Sequence, residues 1–359
     1  IGRIGGSKVL VVTDPGIKAA GILDLVAKPL DNAHCSYHVF AEVEPEPSVE
    51  VAIRSSEAAK AFGPDVIIGL GGGSSMDISK VTSVLLTNEG PIEKYFGMEL
   101  VPHPGIPLIL IPTTAGTGSE MTSICVLSDP QSNVKKGVVS GHMFATVALL
   151  DPTLTIGLPP DITAMTGMDA FVHAAESYTG VAATVFTDTL NLQAIRMIAA
   201  NLRKAFANGE SREARENMLY ASCLAGMAFS NTQNGLDHAL ALAIGGKFHL
   251  PHGLLTAFLC PWVMEFNVLA NPMKFIEIAR AFGEDTEDLP EIEAARLSVK
   301  AVKSLLDDLG ISYRLSSYDV PKEEIPGLAK ATIGAARLIK NNPRKVTERD
   351  VIHILEANY

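Results

Sequence analysis

The sequence predicts two domains of different class. An α/β domain on a mostly parallel sheet should occupy residues 1–153, and an all-helical domain residues 154–359. Three observations point that way. In the first part, short apolar runs rich in β-branched residues alternate with helix-favouring stretches, the pattern of repeated βαβ units. After Asp151 the texture changes, with Pro152, Pro159 and Pro160 marking the junction. Beyond it, Ala, Leu and Met recur at helical spacing through long stretches.

Along the chain, the first strand is expected over Lys8–Thr13 and ends at Asp14. A carboxylate at such a strand end can accept hydrogen bonds from ribose hydroxyls and repel a 2′-phosphate; before Pro15 it can equally cap a helix. A second strand is expected over Ser36–Ala41, followed by the acidic, proline-rich connector EVEPEPSVE, read as a solvent-exposed loop. The third, Val66–Leu70, runs into Gly71, Gly72 and Gly73, and then into Ser74, Ser75, Met76 and Asp77 at the head of a helix. Glycines let the backbone approach a ligand, and the helix start offers free N–H groups to a phosphate. This is not the G-x-G-x-x-G fingerprint. The fourth strand, Pro107–Ile111, leads into PTTAGTGSE, where Thr113, Thr114 and Thr117 gather hydroxyls. Two such junctions suit the carboxyl edge of a parallel sheet, where nucleotides bind. Further strand patterns lie near Ile124–Leu127 and Ala148–Leu150.

In the second domain, helices are expected over Leu190–Phe206, Arg212–Ala228 and Ile292–Leu309. Asp169 and His173 lie four apart in GMDAFVH, which puts both on one helix face. His238 and His252 follow in GLDHALALAIGGKFHLPHG. One carboxylate and three imidazoles form a plausible closed set for a divalent transition metal such as Fe(II) or Zn(II). With nucleotide loops in one domain and metal ligands in the other, the active site is expected in the cleft between them.

Composition excludes several classes. Hydrophobic residues make up 47% and charged residues 19%, a globular balance. A net charge of −11 argues against nucleic acid. No apolar run reaches the roughly 18–20 residues of a membrane span, and no signal peptide is visible. The four cysteines are widely spaced, as in a reduced cytoplasmic protein.

The motifs VTD at Val12, GGGSSMD at Gly71, TTAGTGSE at Thr113, ALLDP at Ala148, GMDAFVHAAESY at Gly167, His238, PHG at Pro251 and NPRKVTERD at Asn342 follow one another in a specific order. In that order the chain resembles the iron-dependent (group III) alcohol dehydrogenases, which include lactaldehyde reductases, 1,3-propanediol dehydrogenases and butanol dehydrogenases. The resemblance covers nearly the whole chain. It implies a Rossmann-like first domain and the dehydroquinate synthase-like superfamily fold, with a further family strand or hairpin ahead of Ile1. Asp169, His173, His238 and His252 match the family's metal ligands, and His252 is also placed among the catalytic residues. Gly72, Gly73, Ser74, Ser75, Met76 and Asp77 match the pyrophosphate loop, and Thr113, Thr114 and Thr117 the hydroxyl loop. Lys135 matches a lysine at the cofactor ribose, and Asp14 the position that favours NAD over NADP; the family has a similar Pro-x-Pro loop that can approach the adenine, which makes Glu46 a further cofactor candidate.

One departure stands out. The family usually carries a further histidine four residues after its third ligand, and here that place is Leu242. A proton relay through that side chain is therefore not expected, nor can His249, three residues before His252, replace it. The resemblance implies NAD(H)-dependent hydride transfer to or from a small alcohol or aldehyde. Iron is favoured, zinc fits the same ligands, and a homo-oligomer is expected. The alternatives are a lyase of the dehydroquinate synthase type, which would need more basic residues in the cleft motifs, and a catalytically altered relative with a specialised substrate.

Overall fold

The structure is a computed structural model that describes residues 1–129 and 134–359. It divides into two compact units: residues 1–114 with 118–155, and residues 115–117 with 156–359.

In the first unit, strands β1 (Lys8–Val12), β2 (Ser36–Phe40), β3 (Val66–Gly71), β4 (Gly97–Met98), β5 (Leu108–Pro112), β6 (Ile124–Asp129), β7 (Val134–Val139) and β8 (Val147–Ala148) form two sheets. The larger is wholly parallel in the order β2-β1-β3-β5-β8. Helices α1 (Pro15–Ala19), α2 (Ile22–Asn32), α3 (Val49–Phe62) and α4 (Gly73–Leu85) belong to the same unit. Side chains alternate across a strand, so Leu10, Val12, Ile67 and Leu110 join one core, with Met76 and Val81 of α4. Val9, Val11, Ile68 and Ile109 join a second, with Leu23 and Leu30 of α2. A parallel sheet buried on both faces explains the near-continuous apolar strands. The chain steps outward from β1 to β2 on one side and from β3 to β5 on the other. The strand order therefore reverses between β1 and β3, where open α/β sheets bind ligands.

Of the small sheet, β4-β7-β6, only β6 was anticipated, as the strand pattern near Ile124–Leu127. β4 is two residues long, and Lys135, Lys136 and Gly137 break the apolar alternation in β7. Asn133, at the start of the stretch that carries Lys135, lies outside the described residues. A fully buried lysine ties α4 to this sheet. Lys80 Nζ donates to Ser119 Oγ (2.6 Å), Thr122 Oγ1 (3.0 Å) and the Ile124 carbonyl (2.8 Å). It also lies 3.5 Å from Asp77 Oδ1.

The second unit is helical: α5 (Pro160–Thr179), α6 (Val185–Ala207), α7 (Arg212–Thr232), α8 (Leu236–Phe248), α9 (His252–Asn267), α10 (Pro272–Ala281), α11 (Glu291–Asp308), α12 (Ile325–Gly334), α13 (Ala336–Asn341) and α14 (Glu348–Ala357). The three helices expected by periodicity appear as α6, α7 and α11, longer or shorter by a few residues at their ends. Every residue of α5 from Gly167 to Thr179 is buried, and α6, α7 and α9 pack around it. Gly167 permits this closeness, because a Cβ there would stand 2.3 Å from Leu202 Cδ1.

Candidate metal centre and nucleotide loops

The helical unit gathers the proposed ligands from three helices. α5 presents Asp169 and His173 one turn apart, α8 presents His238 in its first turn, and His252 opens α9 after Pro251. Asp169, His238 and His252 each offer a donor atom within 4.8 Å of the others. Asp169 Oδ1 lies 4.0 Å from His238 Nε2 and 3.7 Å from His252 Nε2. His173 stands beside this triad rather than inside it: its Nδ1 is 3.8 Å from Asp169 Oδ2, and its ring centroid is 4.7 Å from that of His238. Phe229 stacks on the outer face of His173 at 4.4 Å.

Two ring nitrogens here, His173 Nδ1 and His238 Nε2, are buried and have no hydrogen-bond partner. Leaving a buried polar atom unpaired costs about 1–3 kcal/mol, so the pair points to a guest that accepts lone pairs. Burial pulls the His173 imidazole down to about 4 and keeps it neutral, while a hydrogen bond to the Gly116 backbone engages its other side. Burial pushes the Asp169 carboxyl up, but the adjacent imidazoles and the Thr256 hydroxyl, which donates to Oδ1 at 3.2 Å, hold it below its ordinary value. Three imidazoles with one carboxylate suit Fe(II) or Zn(II). His252 is the accessible member, its side chain a third exposed (33%).

Residues that the sequence did not single out complete this surround. Glu176 lies a further turn along α5 from His173, and its carboxylate receives His238 Nδ1 at 2.7 Å. Helical spacing could have found it, because 169, 173 and 176 share one face. Asp237, beside His238, has both carboxylate oxygens buried without a partner, and burial pushes its carboxyl well up. Leu242 is half-buried on α8. His249 caps the end of α8 in the left-handed conformation (φ 54°), exposed, as expected of a loop histidine.

In the α/β unit, Gly71 has φ +146°, and a Cβ there would stand 2.6 Å from Ser75 Oγ, so the turn requires glycine. Helix α4 begins at Gly73 with Gly72 as its N-cap and no side-chain cap, which leaves N–H groups free for an anion. Gly72, Gly73 and Ser74 are only half-buried, and Gly72 faces Thr114, whose Oγ1 would be 3.5 Å from an added Cβ. Other expected cofactor residues have internal duties. Asp14 caps α1 through Ile17 N (2.9 Å) and accepts from Ser75 Oγ (3.1 Å). Met76 is buried in the core, so only its backbone could reach a ligand. Asp77 accepts from Ser119 Oγ (2.7 Å) and Val126 N (2.9 Å), and it faces Lys80. Thr113 is buried, Thr114 is half-buried, and Thr117 belongs to the helical unit. Lys135 Nζ meets Glu46 Oε1 at 2.6 Å, which joins two residues that the sequence marked separately. Burial pushes the carboxyl of Glu120, beside this loop, up to about 7.

Family models match both parts of the chain. Residues 1–152 match the model for iron-containing alcohol dehydrogenase, and residues 163–359 the C-terminal model of the Fe-containing alcohol dehydrogenase family. The chain is 48% identical over 359 residues to a sulfoacetaldehyde reductase of Bilophila wadsworthia, covering 99% of this chain and 93% of that protein. It is 40% identical over 358 residues to the 1,3-propanediol dehydrogenase of Citrobacter freundii, covering 99% and 92%. Among solved structures, a 1,3-propanediol oxidoreductase superposes with a TM-score of 0.97 at 38% identity, covering 100% of this chain and 94% of that one. A sulfoacetaldehyde reductase of Bifidobacterium kashiwanohense in complex with NAD+ superposes at 0.88 with 27% identity, covering 99% and 92%.

Proposed function

The chain belongs to the iron-containing alcohol dehydrogenase family, and from that premise we propose how its own residues carry the family's reaction and on which substrate. It is a metal-dependent oxidoreductase that transfers a hydride between NAD(H) and a small alcohol or aldehyde. The lyase alternative is set aside, since these relatives are named dehydrogenases and reductases.

The observation that carries the site reading is the pair of unpartnered, buried ring nitrogens facing Asp169. Asp169, His173, His238 and His252 hold the metal, and His252 is the ligand nearest to solvent. When bound, the metal supplies Lewis acidity toward the substrate oxygen, and NAD(H) gives or takes the hydride. Thr256 fixes the orientation of Asp169. Free N–H groups at Gly73 and Ser74 hold the pyrophosphate, while Met76 and Asp77 secure the loop from inside. Asp14 and Lys135 serve the ribose side. Leu242 has no proton to give, so proton delivery falls to water or a ribose hydroxyl of the cofactor.

For the substrate, we favour a short aldehyde with a terminal anionic group. The 48%-identical relative is named for sulfoacetaldehyde, an aldehyde of that kind. NADH oxidation measured with sulfoacetaldehyde, propanal and 3-hydroxypropanal tests this. A kcat/KM at least about tenfold higher for the anionic aldehyde supports the reading, a difference of about 1.4 kcal/mol in transition-state binding. A preference for an uncharged aldehyde rejects it. The protein is proposed to work in the cytoplasm as a homo-oligomer. Among the described residues no helix is long and apolar enough to cross a membrane.

A further inference from the structure

Glu176 sits seven residues after Asp169 on α5, only 8% exposed, and makes three short hydrogen bonds to one segment of another helix. Its Oε2 accepts from Gly235 N (2.8 Å) and meets His238 Nδ1 (2.7 Å), and its Oε1 accepts from Asp237 N (2.6 Å). α8 has Gly235 at its N-cap and no side-chain cap of its own. Glu176 therefore caps that helix from α5. Space is tight, since a Cβ on Gly235 would lie 3.0 Å from Glu176 Oε1.

We propose that Glu176 is the positioning residue of the metal centre: it fixes the tautomer and ring orientation of His238 through the same carboxylate that closes α8. Each carboxylate oxygen already accepts a backbone N–H, so the third bond is donated by the imidazole. The proton then sits on Nδ1, and the lone pair on Nε2 faces Asp169, 4.0 Å away. The absence of any partner for Nε2 is the signature of that arrangement. A carboxylate behind a ligand imidazole also raises the basicity of the nitrogen that binds. Because the carboxylate grips residues 235, 237 and 238 together, ring orientation and helix start are set as one piece. Without that anchor, the ring could present an N–H toward the cation instead of a lone pair.

The inference rests on the metal reading of this site. It is tested with the whole protein stripped of metal and titrated with Co(II), following the visible d–d bands and the cobalt affinity by chelator competition. Glu176→Gln keeps the volume but loses the charge and one acceptor. Affinity is expected to fall by about 10–100-fold, with shifted bands, and Glu176→Asp is expected to lie between Gln and wild type. A role in capping alone would lower the melting temperature of the metal-free protein and leave the affinity and bands of the folded fraction as in wild type; that result overturns the proposal. Should the Gln variant not fold, the 15N shifts of His238 in the metal-free wild type, assigned by loss of the signal in His238→Asn, decide. Protonated Nδ1 supports the proposal, and protonated Nε2 overturns it. Wild type that binds no cobalt takes down the metal reading itself, which separates that failure from this one.

Discussion

Asp169 is the one carboxylate among the four proposed ligands, and the Thr256 hydroxyl donates to it. Asp169→Ala should therefore lose stoichiometric metal, read by elemental analysis after dialysis, and reduce turnover by more than the ~10–100-fold typical of losing an outer partner. His252→Ala should do the same with less effect on folding, because its side chain is the most exposed of the set. Asp14→Gly should improve NADPH use relative to NADH. It should also cost a few tenths of a kcal/mol of stability through the cap, since Asp14 caps α1 and glycine is itself a tolerated N-cap. A ratio of kcat/KM values for the two cofactors that does not move would remove Asp14 from cofactor choice. Glu120 gives a signed pH effect. Burial raises its folded carboxyl from 4.5 to about 7. The stability it contributes is present in full below pH ~4.5 and is lost as pH rises to about 7. Melting temperature across pH 5–8 should fall less steeply in Glu120→Gln than in wild type; parallel curves would mean that Glu120 is ionised throughout.

At the scale of elements, the junction of β3 with α4 depends on Gly71. With φ +146° and Ser75 Oγ 2.6 Å from an added Cβ, Gly71→Ala must shift the loop. Stability should drop by about 1–3 kcal/mol, with weaker NADH binding by fluorescence titration. Unchanged NADH affinity would show that this loop does not hold the cofactor. The strands beside it were legible in sequence because both faces of the sheet are buried, so each is a continuous apolar run. α6, α7 and α11 were legible through their period. β4 and β7 were not: one is too short for a pattern, and the other carries two lysines and a glycine in six residues. The ligand pairs were readable as residue types at spacings. Glu176 shares their helix face, but its contact with His238, like that of Thr256 with Asp169, joins residues far apart in sequence. Lys80→Met, which leaves Asp77 buried without its cation, should cost about 3–5 kcal/mol in denaturant unfolding.

At the scale of the whole chain, the order of motifs carried the reaction class. Substrate identity was not legible, because specificity depends on the shape and charge of a pocket that no motif spells out. Leu242 carries no titratable group, so on the proposed reading the proton comes from water or a cofactor hydroxyl. The rate should therefore show no bell-shaped dependence from a side chain at that position. The most direct measurement is NADH oxidation by metal-stripped protein with a short anionic aldehyde, before and after anaerobic reconstitution with Fe(II) or Zn(II). Turnover that is absent in the stripped protein and restored in proportion to bound metal is expected. Full turnover without metal, or none with stoichiometric metal and cofactor bound, would contradict the assignment of Asp169, His173, His238 and His252 as the centre of a metal-dependent dehydrogenase.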